Sequence, residues 1–171
     1  MSTPPLTPDH LSDPSKGSGG GYMDKTQKKD ALDFLMTVFP HQGLSALPYA
    51  KNVSISAPNL GADFEGVVLE MPGSPKTLYV DGKSAQSVGL RERYVERLLY
   101  SDYLFTALSS IVALLDLADE RLECTSLIIV LERSSVNLGK ILHSLLYVGG
   151  TVVTKPLFKV DPAFVLVGLE I

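Results

Sequence analysis

Several things are scarce in this chain. It has one cysteine and no tryptophan in 171 residues. A lone Cys124 excludes an internal disulfide and a zinc site built from cysteines, and it fits a reducing compartment. A strong charge of one sign is also missing: 15 Lys and Arg stand against 19 Asp and Glu, a formal net charge of −4. Nucleic-acid binders normally carry a basic stripe, so this balance argues against a nucleic-acid partner. Charges interrupt every apolar run well short of the ~20 residues that a membrane span needs. The opening MSTPPLTPDHLSDPSKGSGGG contains no apolar stretch and reads as neither signal peptide nor anchor. The expectation is a soluble protein of the cytoplasm, with the nucleus as a second location.

Catalytic signatures are scarce too. None of the G-x-S-x-G, H-E-x-x-H or G-x-x-x-x-G-K-[ST] patterns occurs. His10, His41 and His143 are far apart and share no ligand spacing, so a solvated or core-edge role fits each better than a metal site. The glycines from Gly17 to Gly21 follow no strand and open no helix, unlike a phosphate-cradling loop. Gly149-Gly150 comes at a helix C-terminus, the wrong polarity for an anion. A coenzyme pyrophosphate would need a Gly-rich entry to the helix that starts near Ser134. Leu131-Glu132-Arg133 stands there instead, and Glu132 would repel phosphate. No cofactor, no metal and no catalytic residue are expected.

What is present suits a packed domain, with 45% hydrophobic residues. Residues 1–28, rich in Pro, Ser and Gly, have too few apolar groups to offset the entropy of ordering and read as a disordered tail. Residues 29–50 read as a short helix and linker. Lys29 to Phe39 places Leu32, Leu35, Met36 and Phe39 at helical spacing before Pro40, either as a docking motif or as a helix packed on the domain edge. Residues 51–171 read as one α/β domain with a mixed sheet and flanking helices. Its first strands are Asn52 to Ser56, with Val53 and Ile55 inward, then Gly66 to Met71 and Thr77 to Val80. The last two are joined by a Pro-Gly turn as a hairpin.

Helical patterns follow. Ser87 to Tyr100 aligns Leu90, Tyr94 and Leu98. Asp102 to Glu123 sets Ile111, Leu114, Leu115, Ala118 and Leu122 against a second face of Val112, Asp116, Asp119, Glu120 and Glu123. Cys124 to Leu131 is almost wholly apolar, as expected of a strand covered on both sides. The next helix, capped by Ser134 or Ser135, buries Leu138, Ile141, Leu142 and Leu145, and Gly149 ends it in the left-handed conformation. Thr151 to Val153 and Phe164 to Leu169 are the last strands. The first completes a right-handed parallel crossover from the Leu127 strand, and the second runs antiparallel to a neighbour. Exposed carboxylates are usually only solvated. Four acids within Asp116 to Glu123, offset by Arg121 alone, nevertheless concentrate negative charge that would steer a basic partner.

The order Leu114-Leu115-Asp116-Leu117-Ala118-Asp119-Glu120, an apolar strand at Leu127 to Leu131, then Tyr147-Val148-Gly149-Gly150-Thr151-Val152-Val153 resembles the ornithine decarboxylase antizymes. The Val-Gly-Gly form is most like the fungal branch, and Thr77-Leu78-Tyr79-Val80 is similar to a strand preceding the first helix of that family. The resemblance implies an acetyltransferase-type (GNAT-like) fold without catalysis. It also implies an inhibitor that binds the ornithine decarboxylase monomer, blocks its homodimerisation and hands it to the proteasome without ubiquitin, lowering polyamine synthesis. Polyamine transporters are further candidate partners. The implied contacts are the acidic helix, with Asp116, Asp119, Glu120 and Glu123, together with Val153. Two departures stand out: Leu108 occupies the place of a lysine found in animal members, and Ser87 to Phe105 is an insertion relative to them. Ser12-Asp13 is similar to the junction that a +1 ribosomal frameshift leaves in this family. The alternatives are an acetyl-CoA-dependent acetyltransferase on the same fold, and a non-catalytic adaptor with another partner.

Overall fold

The structure, a computed structural model, describes residues 25–57, 62–82, 111–136 and 138–171. Most of the segment expected as a tail, the helix expected over Ser87 to Tyr100, the first part of the expected acidic helix, Leu108 and Ser12-Asp13 lie outside those residues.

Helix α1 (Lys25–Val38) opens the described chain. It starts four residues before the helix expected from Lys29. A short helix α2 (Gly43–Ala46) and a 3₁₀ turn (Leu47–Tyr49) lead into β1 (Ala50–Ala57). Then come β2 (Ala62–Leu69), β3 (Thr77–Asp81), helix α3 over 111–120, β4 (Ser126–Glu132), helix α4 (Leu138–Tyr147), β5 (Thr151–Val152) and β6 (Phe164–Glu170). The six strands form one mixed sheet in the order β1-β2-β3-β4-β6-β5. Only the β3–β4 pair is parallel.

The hairpin expected around the Pro-Gly turn is present as the β2–β3 pair, with Leu69 opposite Thr77. Its first strand starts earlier and stops sooner than the sequence suggested, ending before Met71. β5 is antiparallel to β6, which is antiparallel to β4, so β4 and β5 run the same way as expected of a crossover. They are not neighbours, however, because β6 lies between them. β6 has apolar residues for both faces. β5 exposes both of its residues and suits only an edge.

Alternation along the strands divides the core in two. Leu78, Val80, Leu127, Ile129, Leu131, Val167 and Leu169 face α3 and α4, which contribute Ile111, Leu114, Ala118, Ile141 and Leu145. Val67, Leu69, Tyr79, Val130 and Leu166 face the other way, under Ala31, Leu35, Val38 and Phe39 of α1 and the residue after it. β4 is thus covered on both sides, as its continuous apolar run requires. Of the alternatives weighed for α1, the packed helix is the one the structure contains. Its inner face differs from the expected stripe: Ala31, Leu35, Val38 and Phe39 are buried, Leu32 is half-buried and Met36 is exposed.

Two glycines are fixed by geometry. Gly149 has φ +97°, and the Gly149 and Gly150 N–H groups donate to the Leu146 and Leu145 carbonyls at 3.2 and 2.8 Å, the bond pair of a Schellman stop. At Gly66 a Cβ would lie 2.3 Å from the Tyr79 carbonyl oxygen, so β2 and β3 can approach only there without a side chain. The start of α4 follows directly on β4. Ser135 donates its N–H to Glu132 O, and Leu138 donates to Ser135 O, each at 3.2 Å. A turn therefore leads from β4 into α4, which spans Leu138–Tyr147.

Candidate partner-binding surface

Helix α3 is held by one face. Ile111, Leu114 and Ala118 are buried, and Leu115, Leu117 and Leu122 pack half-buried around them. Asp116, Asp119, Glu120 and Glu123 are all exposed, with exposed Arg121 as the one base among them. Asp116 and Glu120 stand one helical turn apart on α3, and Glu123 follows just past its end, so like charges gather on its outer side. The acids also crowd the C-terminal end of the helix, where the macrodipole favours cations. Helix stability gains nothing from this arrangement.

The helix ends tightly. Glu123 donates its N–H to Asp119 O at 3.2 Å, and Cys124 to Ala118 O at 2.8 Å. Glu123 takes φ 54°, the one non-glycine residue among those described in the left-handed region. That turn aims its carboxylate outward and swings Cys124 inward. Burial pushes the Cys124 thiol up from its ordinary pKa, with Lys76 lowering it and Glu70 raising it. Tyr79, on β3 below the other face, is pushed up to about 12 by burial.

Val153 sits elsewhere. It follows β5, donates its N–H to Leu166 O at 2.9 Å and packs half-buried against the cluster under α1. Its Cγ2 lies 3.3 Å from where a Cβ at position 168 would be, so Gly168 leaves room for it. The acids belong to the helix layer on one face of the sheet, and Val153 packs on the other. The five residues expected at one binding surface are therefore split, four together and one apart.

Leu146 and Tyr147, at the end of α4, are exposed residues that the sequence reading did not single out as contacts, Tyr147 at 72%. α3 runs into β4 and α4 into β5, and both strands point the same way, so the two helices end at the same end of the strands. Positions 146 and 147 fall off the stripe that packs toward the sheet, in which Ile141 and Leu145 are buried and Leu138 and Leu142, expected buried, are half-buried.

A family model described as ornithine decarboxylase antizyme matches residues 51–165. The match runs from the second residue of β1 to the second residue of β6, taking in α3, α4 and Val153 and leaving out α1. None of the curated proteins compared with the chain matches it.

Proposed function

Since the chain belongs to the ornithine decarboxylase antizyme family, we propose that it captures the ornithine decarboxylase monomer through the acidic outer face of α3. Membership implies a decarboxylase inhibitor with that enzyme as its protein partner. The observation that carries the site is the one-sided burial of α3: Ile111, Leu114 and Ala118 are committed to the core, while Asp116, Asp119, Glu120 and Glu123 are all presented outward. A basic patch on the partner would meet them, with charge speeding encounter and fixing orientation.

In the fuller reading the captured monomer cannot form its homodimer, and the enzyme is passed to the proteasome without ubiquitin, lowering polyamine synthesis. The inhibitor itself is non-catalytic and works in the cytoplasm, with the nucleus as a second site and polyamine transporters as further partners. A frameshift junction at Ser12-Asp13 and an acetyltransferase-like (GNAT-like) fold belong to the same reading. Val153 remains in it as a contact from the opposite face, reached at the sheet edge. What supports a non-catalytic role is the entry to α4: Glu132-Arg133-Ser134-Ser135-Val136-Asn137 contains no glycine to admit a coenzyme pyrophosphate.

Size-exclusion chromatography of the chain mixed with a matched ornithine decarboxylase tests the proposal. The decarboxylase dimer peak should give way to a 1:1 complex as activity falls. A dimer that persists at full activity under excess chain would refute it.

A further inference from the structure

The connection from β5 to β6, residues 153–163, has little regular structure of its own. β5 contributes only two residues to the sheet, and Val153 adds one bond to β6. The middle of the connection is tied to the segment at the C-terminal end of α1. Asp161 donates its backbone N–H to the Val38 carbonyl at 2.9 Å, and Lys159 donates its own to Gln42 Oε1 at 3.1 Å. The Phe158 ring meets Phe39 edge-on, with centroids 5.4 Å apart, and Phe39 meets Tyr79 in the same manner at 5.6 Å. Val153 and Phe158 pack on the same cluster as Leu35 and Phe39.

We infer that α1 with Phe39 and Gln42 is a strap that fixes this connection. The family-matched part of the chain, residues 51–165, then holds its shape around Val153 only with residues 25–42 docked. Backbone N–H groups in an irregular segment need partners, and here two of them find those partners on the strap. The strap is also the main cover of the second sheet face, so loosening it loosens the connection without touching α3 or α4. Gln42 and Phe39 are positioning residues: they act on a partner through the 153–163 connection, a role that rests on the decarboxylase reading above.

The experiment is amide hydrogen exchange on the full chain, which needs no partner. Gln42→Ala should speed exchange at the Lys159 and Asp161 amides by about tenfold, leaving β4 amides and the unfolding midpoint in place. Gln42→Glu, which keeps an acceptor oxygen, should restore protection, and Phe39→Leu should loosen the same amides. Dissociation of the decarboxylase complex should speed up severalfold in Gln42→Ala and recover in Gln42→Glu. Unchanged exchange at residues 159 and 161 in both loosening variants would overturn the strap, whatever the decarboxylase does. Faster exchange with unaltered dissociation would overturn its role in binding. Failure of the unaltered chain to bind a decarboxylase would strike the proposed function and leave the exchange result standing.

Discussion

Single residues carry two of the clearest expectations. Glu123 holds a left-handed backbone conformation that costs an L side chain roughly 1–2 kcal/mol and glycine almost nothing. Glu123→Gly should therefore stabilise the domain in urea unfolding, by up to about 1 kcal/mol once the added freedom of the unfolded chain is subtracted. A loss of stability would mean that the Glu123 side chain contributes more than its strain costs. Tyr79 is 3% exposed, and its ring packs edge-on against Phe39. Tyr79→Phe should then leave stability at neutral pH little changed, since it keeps the buried ring in place and removes only the hydroxyl. The same substitution changes the alkaline limb. A folded-state pKa raised from 10.0 to about 12 means that the folded form holds its proton longer than the unfolded chain. That contribution is complete below pH 10 and is lost as pH rises through 12, with the buried Cys124 thiol adding in the same direction above 9.0. Thermal melts from pH 9 to 12 should show a shallower decline for Tyr79→Phe. An identical decline in the two proteins would refute the burial argument.

Among the elements, α3 shows how one helix can serve two purposes. Its inner face is fixed by Ile111, Leu114 and Ala118, and its outer face is free to vary. Replacing Asp116, Asp119 and Glu120 together with Lys should keep the circular dichroism spectrum and the melting curve. Exposed positions shift stability by less than about 0.5 kcal/mol each, and bases suit a helix C-terminus better than acids do. Decarboxylase binding should be lost, because like charges brought together at an interface cost several kcal/mol. If the triple variant still bound at low ionic strength, where charge acts at longest range, the acidic face would be a solvated surface and not a docking site.

For the whole molecule the question is which part of the chain is needed. The composition of residues 1–24 offers no apolar surface worth burying, whereas α1 places Ala31, Leu35, Val38 and Phe39 in the core. A chain starting at Lys25 should match the intact protein in decarboxylase inhibition and in cooperative unfolding. A chain starting at Gly43 should lose cooperative unfolding and bind hydrophobic dyes, since Val67, Leu69, Tyr79, Val130 and Leu166 would lose their cover. Equal stability of the two truncations would show that α1 is dispensable.

Much of this was legible in the chain itself. The continuous apolar run at Leu127 to Leu131 required cover on both faces. The 3.6-residue period separated Ile111, Leu114 and Ala118 from the acids, and Gly149 marked the helix end. These are local rules, in which each residue's neighbours along the chain decide its place. Other features depended on contacts between distant segments. Position 28 could not be recognised as helical, because α1 is secured through Leu35 and Phe39 against strands that come later. β5 and β6 read equally well as strands, and only the supply of apolar residues for two faces puts β6 inside the sheet and β5 at its edge. Val153 and the acids of α3 are parted for the same reason: a sheet has two faces, and which one a strand-end residue joins is settled by pairing register, which spacing along the chain does not encode.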